Sequence, residues 1–366
     1  MAPRGSVAVM GPTTAGGRVG EFLRTVLLLE PTTRVVVLGA GLLGVCCGVV
    51  GSLAVLRRRA LLGDCVAHAA LPGVCLAFML TGGRFLPVLL VGAAATGLLA
   101  VAFIAAVRAW TRVREDAAIG IALASFFGLG LVLLSLASRY GGGNRAGLDR
   151  FLFGQAAAMI RQDAWVIGVS AVVGCGLVAL LLKEFRGLCF DREYASVQGW
   201  PVSVLDGLLM SLVCVSTVAG LPAAGVVLVS ALLVIPAVTA RLWASGLGWM
   251  LVVAGAVGGM SGVVGVGLSA HLPVPERAGA WPTGPMIVLS AGVALGMSLL
   301  LAPERGVLAA LARRRAVRRM VAADRLHGPL DATVPGAWAG LRHEGEPASP
   351  GSGAAAGRGG GGEGTP

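Results

Sequence analysis

Nine apolar runs, each long enough to cross a bilayer as a helix, follow one another through this chain. They lie near residues 35–56, 60–81, 85–107, 117–137, 163–182, 204–221, 222–240, 248–269 and 285–302. A helix needs roughly 20 apolar residues to span about 30 Å of hydrocarbon, and in lipid only helices and closed barrels satisfy their own backbone groups. With 56% hydrophobic and 13% charged residues among 366, the chain has too little polar surface to wrap a soluble core. The short alternating segments of an outer-membrane barrel do not occur in it. The expected fold is all-α, a polytopic helical membrane protein with about eight to nine transmembrane helices, in which 204–240 is either two spans or one broken element. The 57 glycines suit helices that approach closely through small residues.

Charge sets the orientation. The formal net charge is +11 and Lys183 is the only lysine, so arginine carries almost all of it. Arg57, Arg58 and Arg59, then Arg108, Arg112 and Arg114, the stretch 183–192, Arg241 and the 305–325 cluster fall on one side of a nine-span arrangement, which places that side in the cytoplasm. Arg139, Arg145, Arg150 and Arg161, with four arginines of the N-terminal tail, oppose this bias. Topological charge beside the spans accounts for the basicity better than nucleic-acid binding does. Three regions are expected: a tail with an amphipathic segment over 1–34, a transmembrane domain over 35–302, and a basic helix followed by a disordered cytoplasmic tail over 303–366. No cleavable signal peptide is evident at the N-terminus. The seven cysteines form no CxxC pair and read as packing residues. No GxxxxGK[ST] sequence occurs, so no P-loop for ATP is present in the chain.

Three stretches carry chemistry. Within the second run, Asp64 and His68 lie four residues apart and share a helical face, where both side chains reach one cation. A carboxylate inside hydrocarbon costs about 2.5–3.5 kcal/mol on insertion scales, and such residues usually have a task. Pro72 has no N–H to give to the carbonyl of His68, which leaves that oxygen as a further donor. One carboxylate, one imidazole and one carbonyl suit Mn²⁺, Fe²⁺ or Zn²⁺ better than Cu⁺. The alternative reading is an Asp–His hydrogen bond that locks two helices together. In the loop 183–203, Asp191 is positioned to cap a short helix near 192–198, Gly199 to close it in a left-handed conformation, and Pro201 to stop it. Such a helix projects as a knob toward a partner, or is an ordinary surface helix. In the third stretch, Pro222 and Pro236 interrupt the 204–240 region, as helices that line cavities often are. His271 and Glu276 fit a solvated outer loop, and His327 and His343 fall in the tail.

In this order the three stretches resemble the membrane permeases of bacterial ABC importers for manganese, zinc and iron. The pieces that carry the resemblance are LRRRALLGDCVAHAALPG (56–73), FDREYASVQGWPV (190–202), GVVLVSALLVIPAVTARL (225–242) and WPTGPMIVL (281–289). It covers about residues 35–302. It implies a permease in the bacterial cytoplasmic membrane that translocates a Mn, Zn or Fe ion, with no permanently bound cofactor and no ATPase of its own. The implied partners are a cytoplasmic dimer of ABC ATPase subunits, an extracytoplasmic metal-binding protein, a second copy of the permease or a related permease, and membrane lipid, but no nucleic acid. By the same resemblance Asp64 and His68 are the metal-pathway residues, and Phe190, Asp191, Glu193 and Gly199 belong to the segment that meets the ATPase. Cys65 departs from the family, which usually has a small residue there; the thiol either softens the site toward zinc or fills space. An ion-coupled secondary carrier with Asp64 as a proton site, and an ABC permease for a metal chelate or vitamin, are the competing readings. An intramembrane hydrolase fits poorly, since Asp163 and Asp206 at span ends form no evident acid pair with Asp64.

Overall fold

The computed structural model describes residues 31–82, 85–140, 159–272 and 281–302, with 306–311, 313–314 and 316–317 beyond them. Chain contacts divide into a unit Met1–Ala310 and a unit Leu311–Pro366, and the architecture below is that of the first. Regular structure among the described residues is entirely helical: α1 (Pro31–Leu56), α2 (Leu62–Thr81), α3 (Leu86–Trp110), α4 (Glu115–Tyr140), α5 (Arg161–Leu180), α6 (Leu182–Phe190), α7 (Arg192–Val197), α8 (Val202–Trp243), α9 (Leu247–His271) and α10 (Thr283–Leu301). Eight of these, all but α6 and α7, are long and apolar enough to cross a membrane. The chain is a multi-pass membrane protein. The amphipathic segment expected before the first span lies outside the described residues except for 31–34, which open α1. Most of the expected basic helix and all of the tail also lie outside them.

Nine apolar runs become eight helices because two of them share α8. A straight helix of 42 residues would be about 63 Å long, twice the hydrocarbon thickness. It is not straight: Gly225 has φ 75 and ψ 169, outside any helical conformation and open to glycine because it has no Cβ. The two halves then run back alongside each other. A Cβ on Gly220 would meet Leu43 at 2.8 Å and Val229 at 2.9 Å, although residues nine apart in a straight helix are separated by about 13 Å. The ends agree: Asp206, near the start of α8, contacts Arg57, and Leu56 packs on the cluster of Ala240, Met250 and Ala254 at the other end. Both ends of α8 therefore sit at the same end of α1. The break falls three residues after Pro222, which lies within the first half, and Pro236 lies within the second.

Helix α8 is the hub and touches α1, α2, α3, α5, α9 and α10. Against it, α1 pairs with α9, and α2 is held between α3 and α4. The α1–α9 contact depends on glycine: a Cβ on Gly44 would collide with the Gly258 carbonyl, and one on Gly258 with the Gly44 carbonyl. Backbone cannot yield as a side chain does. Gly258→Val is accordingly expected to destabilise the fold by about 3 kcal/mol, the upper end of the usual cost of overpacking, read as a lower melting midpoint in detergent and a loss of monodisperse protein. An unchanged midpoint would mean that the two helices do not meet there.

Candidate functional site

Helix α2 is buried along most of its length, and Asp64 and His68 are partly exposed on it. Asp64 stands in the first turn and His68 one turn later, with side chains 43% and 28% exposed while Cys65, Val66, Ala67, Ala69 and Ala70 are buried. The His68 Nε2 lies 3.7 Å from Asp64 Oδ1, so the two share a face without a short hydrogen bond. The imidazole packs edge-on against Phe127 of α4, ring centroids 4.7 Å apart, and its Nδ1 is buried with no hydrogen-bond partner. Sequence reasoning did not single out Phe127, since nothing local links positions 68 and 127. Neither side chain makes a described hydrogen bond to another helix, and the contact His68 makes across to α4 is the ring packing on Phe127. Among the described residues no third His, Cys, Asp or Glu joins the pair as a metal-binding group. Pro72 lies inside the continuous α2, where Gly130 of α4 passes close over it. Cys65 points elsewhere: its Sγ is buried, 3.6 Å from the Ile119 carbonyl, and fills space between α2 and α4.

At the end of the bundle where α2 begins lies a charge cluster that local sequence does not reveal. Arg59, 1% exposed, grips Asp206 with two bonds, Nη1 to Oδ1 at 2.8 Å and Nη2 to Oδ2 at 2.7 Å, and its Nε pairs with Glu115. Arg57 adds Nη2 to Asp206 Oδ1 at 2.9 Å, and Arg108 reaches Asp206 at 3.4 Å and Glu115 at 3.6 Å. Bidentate arginine–carboxylate pairs of this kind are the strong, directional ones. Counting arginines for topology treats them as solvated surface charge, whereas these three converge on a buried carboxylate. The available signal was Asp206 itself, a lone acid in the apolar stretch VSVLDGLLM, which calls for a partner. Cys189, on α6 beside this cluster, has its thiol pushed up to about 11 by burial and stays neutral.

The loop after α6 folds as its local signals require. Asp191 caps α7 by accepting the Tyr194 N–H at 2.9 Å, and Gly199 takes φ 82 immediately after the helix. Phe190, Tyr194 and Val197 stand 66%, 59% and 84% exposed, an apolar surface on a segment that is not a membrane span. Glu193 is exposed on the same short helix. Trp200 then packs on Gly187, where a Cβ would lie 2.6 Å from the indole, and this fixes the knob to α6. At the opposite end of the bundle, the Ser269 hydroxyl donates to the Trp281 carbonyl at 2.8 Å and ties the end of α9 to the start of α10. His271 closes α9 with its Nδ1 2.9 Å from the Gly267 carbonyl; Glu276, His327 and His343 lie outside the described residues.

Residues 30–302, which hold all of these features, match the ABC 3 transport family. The chain belongs to that family. Among its relatives, the manganese transport system membrane protein MntC of Bacillus subtilis is 43% identical over 300 residues, covering 82% of this chain and 67% of that one. The zinc transport system membrane protein TroC of Treponema pallidum is 42% identical over 293 residues, 80% of this chain and 96% of that one. In three dimensions this ABC 3 family chain is similar to PsaBC from Streptococcus pneumoniae, solved in complex with Fab, with a TM-score of 0.66 and 28% identity over 78% of this chain and 97% of that one.

Proposed function

We propose that this chain is the permease subunit of an ATP-driven importer that moves a divalent transition metal, Mn²⁺, Zn²⁺ or Fe²⁺, across the bacterial cytoplasmic membrane. The observation that carries the reading is the half-exposed Asp64 and His68 on an otherwise buried apolar helix. A carboxylate on the outer flank of a single chain is not stable against lipid, so that flank faces a water-lined or protein-lined path. A second permease, identical or related, supplies the other wall. Two side-chain donors and the carbonyl of His68 hold an ion loosely, as transport requires, because an ion bound tightly midway does not leave. Manganese and zinc are the cargoes named for the relatives, and both accept this donor set.

Hydrolysis belongs to separate cytoplasmic ATPase subunits. Helix α7, with Tyr194 and Val197 exposed, Phe190 exposed at the end of α6 just before it, and its ends fixed by Asp191 and Gly199, is the surface offered to them, and Glu193 adds a charge at its rim. An extracytoplasmic binding protein delivers the ion at the opposite face. The test is uptake of Mn²⁺, Zn²⁺ and Fe²⁺ by vesicles that hold the permease with its ATPase and binding protein, with and without ATP. Accumulation of one metal only when ATP is hydrolysed is the expected result. Uptake that ignores ATP and follows a proton gradient would replace the importer by an ion-coupled carrier.

A further inference from the structure

We infer that the buried cluster of Arg57, Arg59 and Asp206 is the mechanical link between α7 and the metal-carrying helix, with Arg57 as the positioning residue that joins the two. This inference rests on the transport reading above. Its geometry is independent of the metal site.

The arginines converge in a way that a helix does not allow, because residues two apart point to different faces. Arg58, between them, has φ 59, the left-handed conformation that a bulky residue seldom adopts. That turn directs Arg57 and Arg59 onto one carboxylate and leaves Arg58 exposed. Backbone outliers of this kind persist only where surrounding contacts over-determine them, and they gather at switching and binding segments. Stability alone does not account for the cluster, since buried ion pairs are often replaceable by apolar side chains without loss.

What the cluster connects is specific. Arg57 donates through Nη1 to the Leu188 carbonyl on α6 at 3.0 Å, three residues before Asp191, the cap of α7. Through Nη2 it holds Asp206, which Arg59 grips from the other side. The Arg59 carbonyl in turn accepts the N–H of Leu62, the first residue of α2, and Asp64 stands in that first turn. A displacement of α7 by a partner is thus carried through α6, Arg57, Asp206 and Arg59 to Asp64 in a run of direct bonds. Arg108 binds the same acids at longer range, 3.4 and 3.6 Å, and shows no bond to α6.

Arg57→Gln tests the link, with Arg57→Lys and Arg108→Gln beside it, in the reconstituted vesicles. Both ATP hydrolysis and Mn²⁺ uptake are read per folded complex. Arg57→Gln is expected to hydrolyse ATP within about twofold of wild type while moving roughly tenfold less Mn²⁺ per ATP, within the range over which coupling positions act. Arg57→Lys, which keeps a donor, recovers part of the ratio, and Arg108→Gln leaves it unchanged within about twofold. A constant ratio in Arg57→Gln, whether both activities fall together or neither moves, overturns the inference. An equal loss in Arg108→Gln overturns it too, because the effect is then one of local charge. Failure of the transport reading is distinct: wild type itself would then show no ATP-dependent uptake of any of the three metals.

Discussion

Asp64→Asn is expected to lower ATP-dependent metal uptake by on the order of a hundredfold, because under the proposed function the carboxylate is a direct ligand, whose loss should cost at least as much as that of an outer-shell partner of a metal site. Folding is expected to survive. The substitution keeps shape and removes a half-exposed charge that makes no short hydrogen bond. The variant should insert and melt close to the wild-type temperature. Two measurements decide the point, uptake in vesicles and the melting midpoint in detergent. Normal uptake removes Asp64 from the pathway, and a large fall in the midpoint makes it a structural residue.

Asp206→Asn has the opposite signature. It leaves Arg59, at 1% exposure, facing a neutral amide, with Glu115 as its remaining counter-ion among the described residues. Removing one partner of a buried ion pair costs about 3–5 kcal/mol, because the desolvated charge that is left behind has no adequate compensation. Little monodisperse protein is expected from Asp206→Asn. The double variant Arg59→Met with Asp206→Leu should recover only part of the stability, because it replaces the buried pair but leaves Arg57 and Arg108 without Asp206 and Glu115 without Arg59. Thermal melts of the three proteins test this. A single variant within about 1 kcal/mol of wild type would show that water reaches Arg59.

Features set by near neighbours in sequence were legible. Apolar run length gave the spans, and the α7 cap emerged where Asp191 and Gly199 placed it, because capping is decided within a few residues. The Asp64 and His68 face was likewise readable from a spacing of four. Interactions across the chain were not. The Arg59 and Asp206 pair joins positions 147 apart, and in sequence its members read as a topological arginine and an acid at a span end. At α8 the sequence drew attention to Pro222, yet proline removes one hydrogen bond and leaves a helix able to continue. The reversal needs the positive φ of Gly225, for which an isolated glycine in a glycine-rich chain gives little sign.

The glycine contact between α1 and α9 also has a meaning in time. Gly44 leaves the ribosome roughly 200 residues before Gly258, which at about 5–20 residues per second is a delay of some 10–40 s. For that interval the first helix sits in the bilayer with its closest-packing face bare, until the penultimate span arrives to cover it. A glycine surface lets any helix approach closely, so the order of synthesis leaves this face of α1 open to other partners until α9 arrives to claim it.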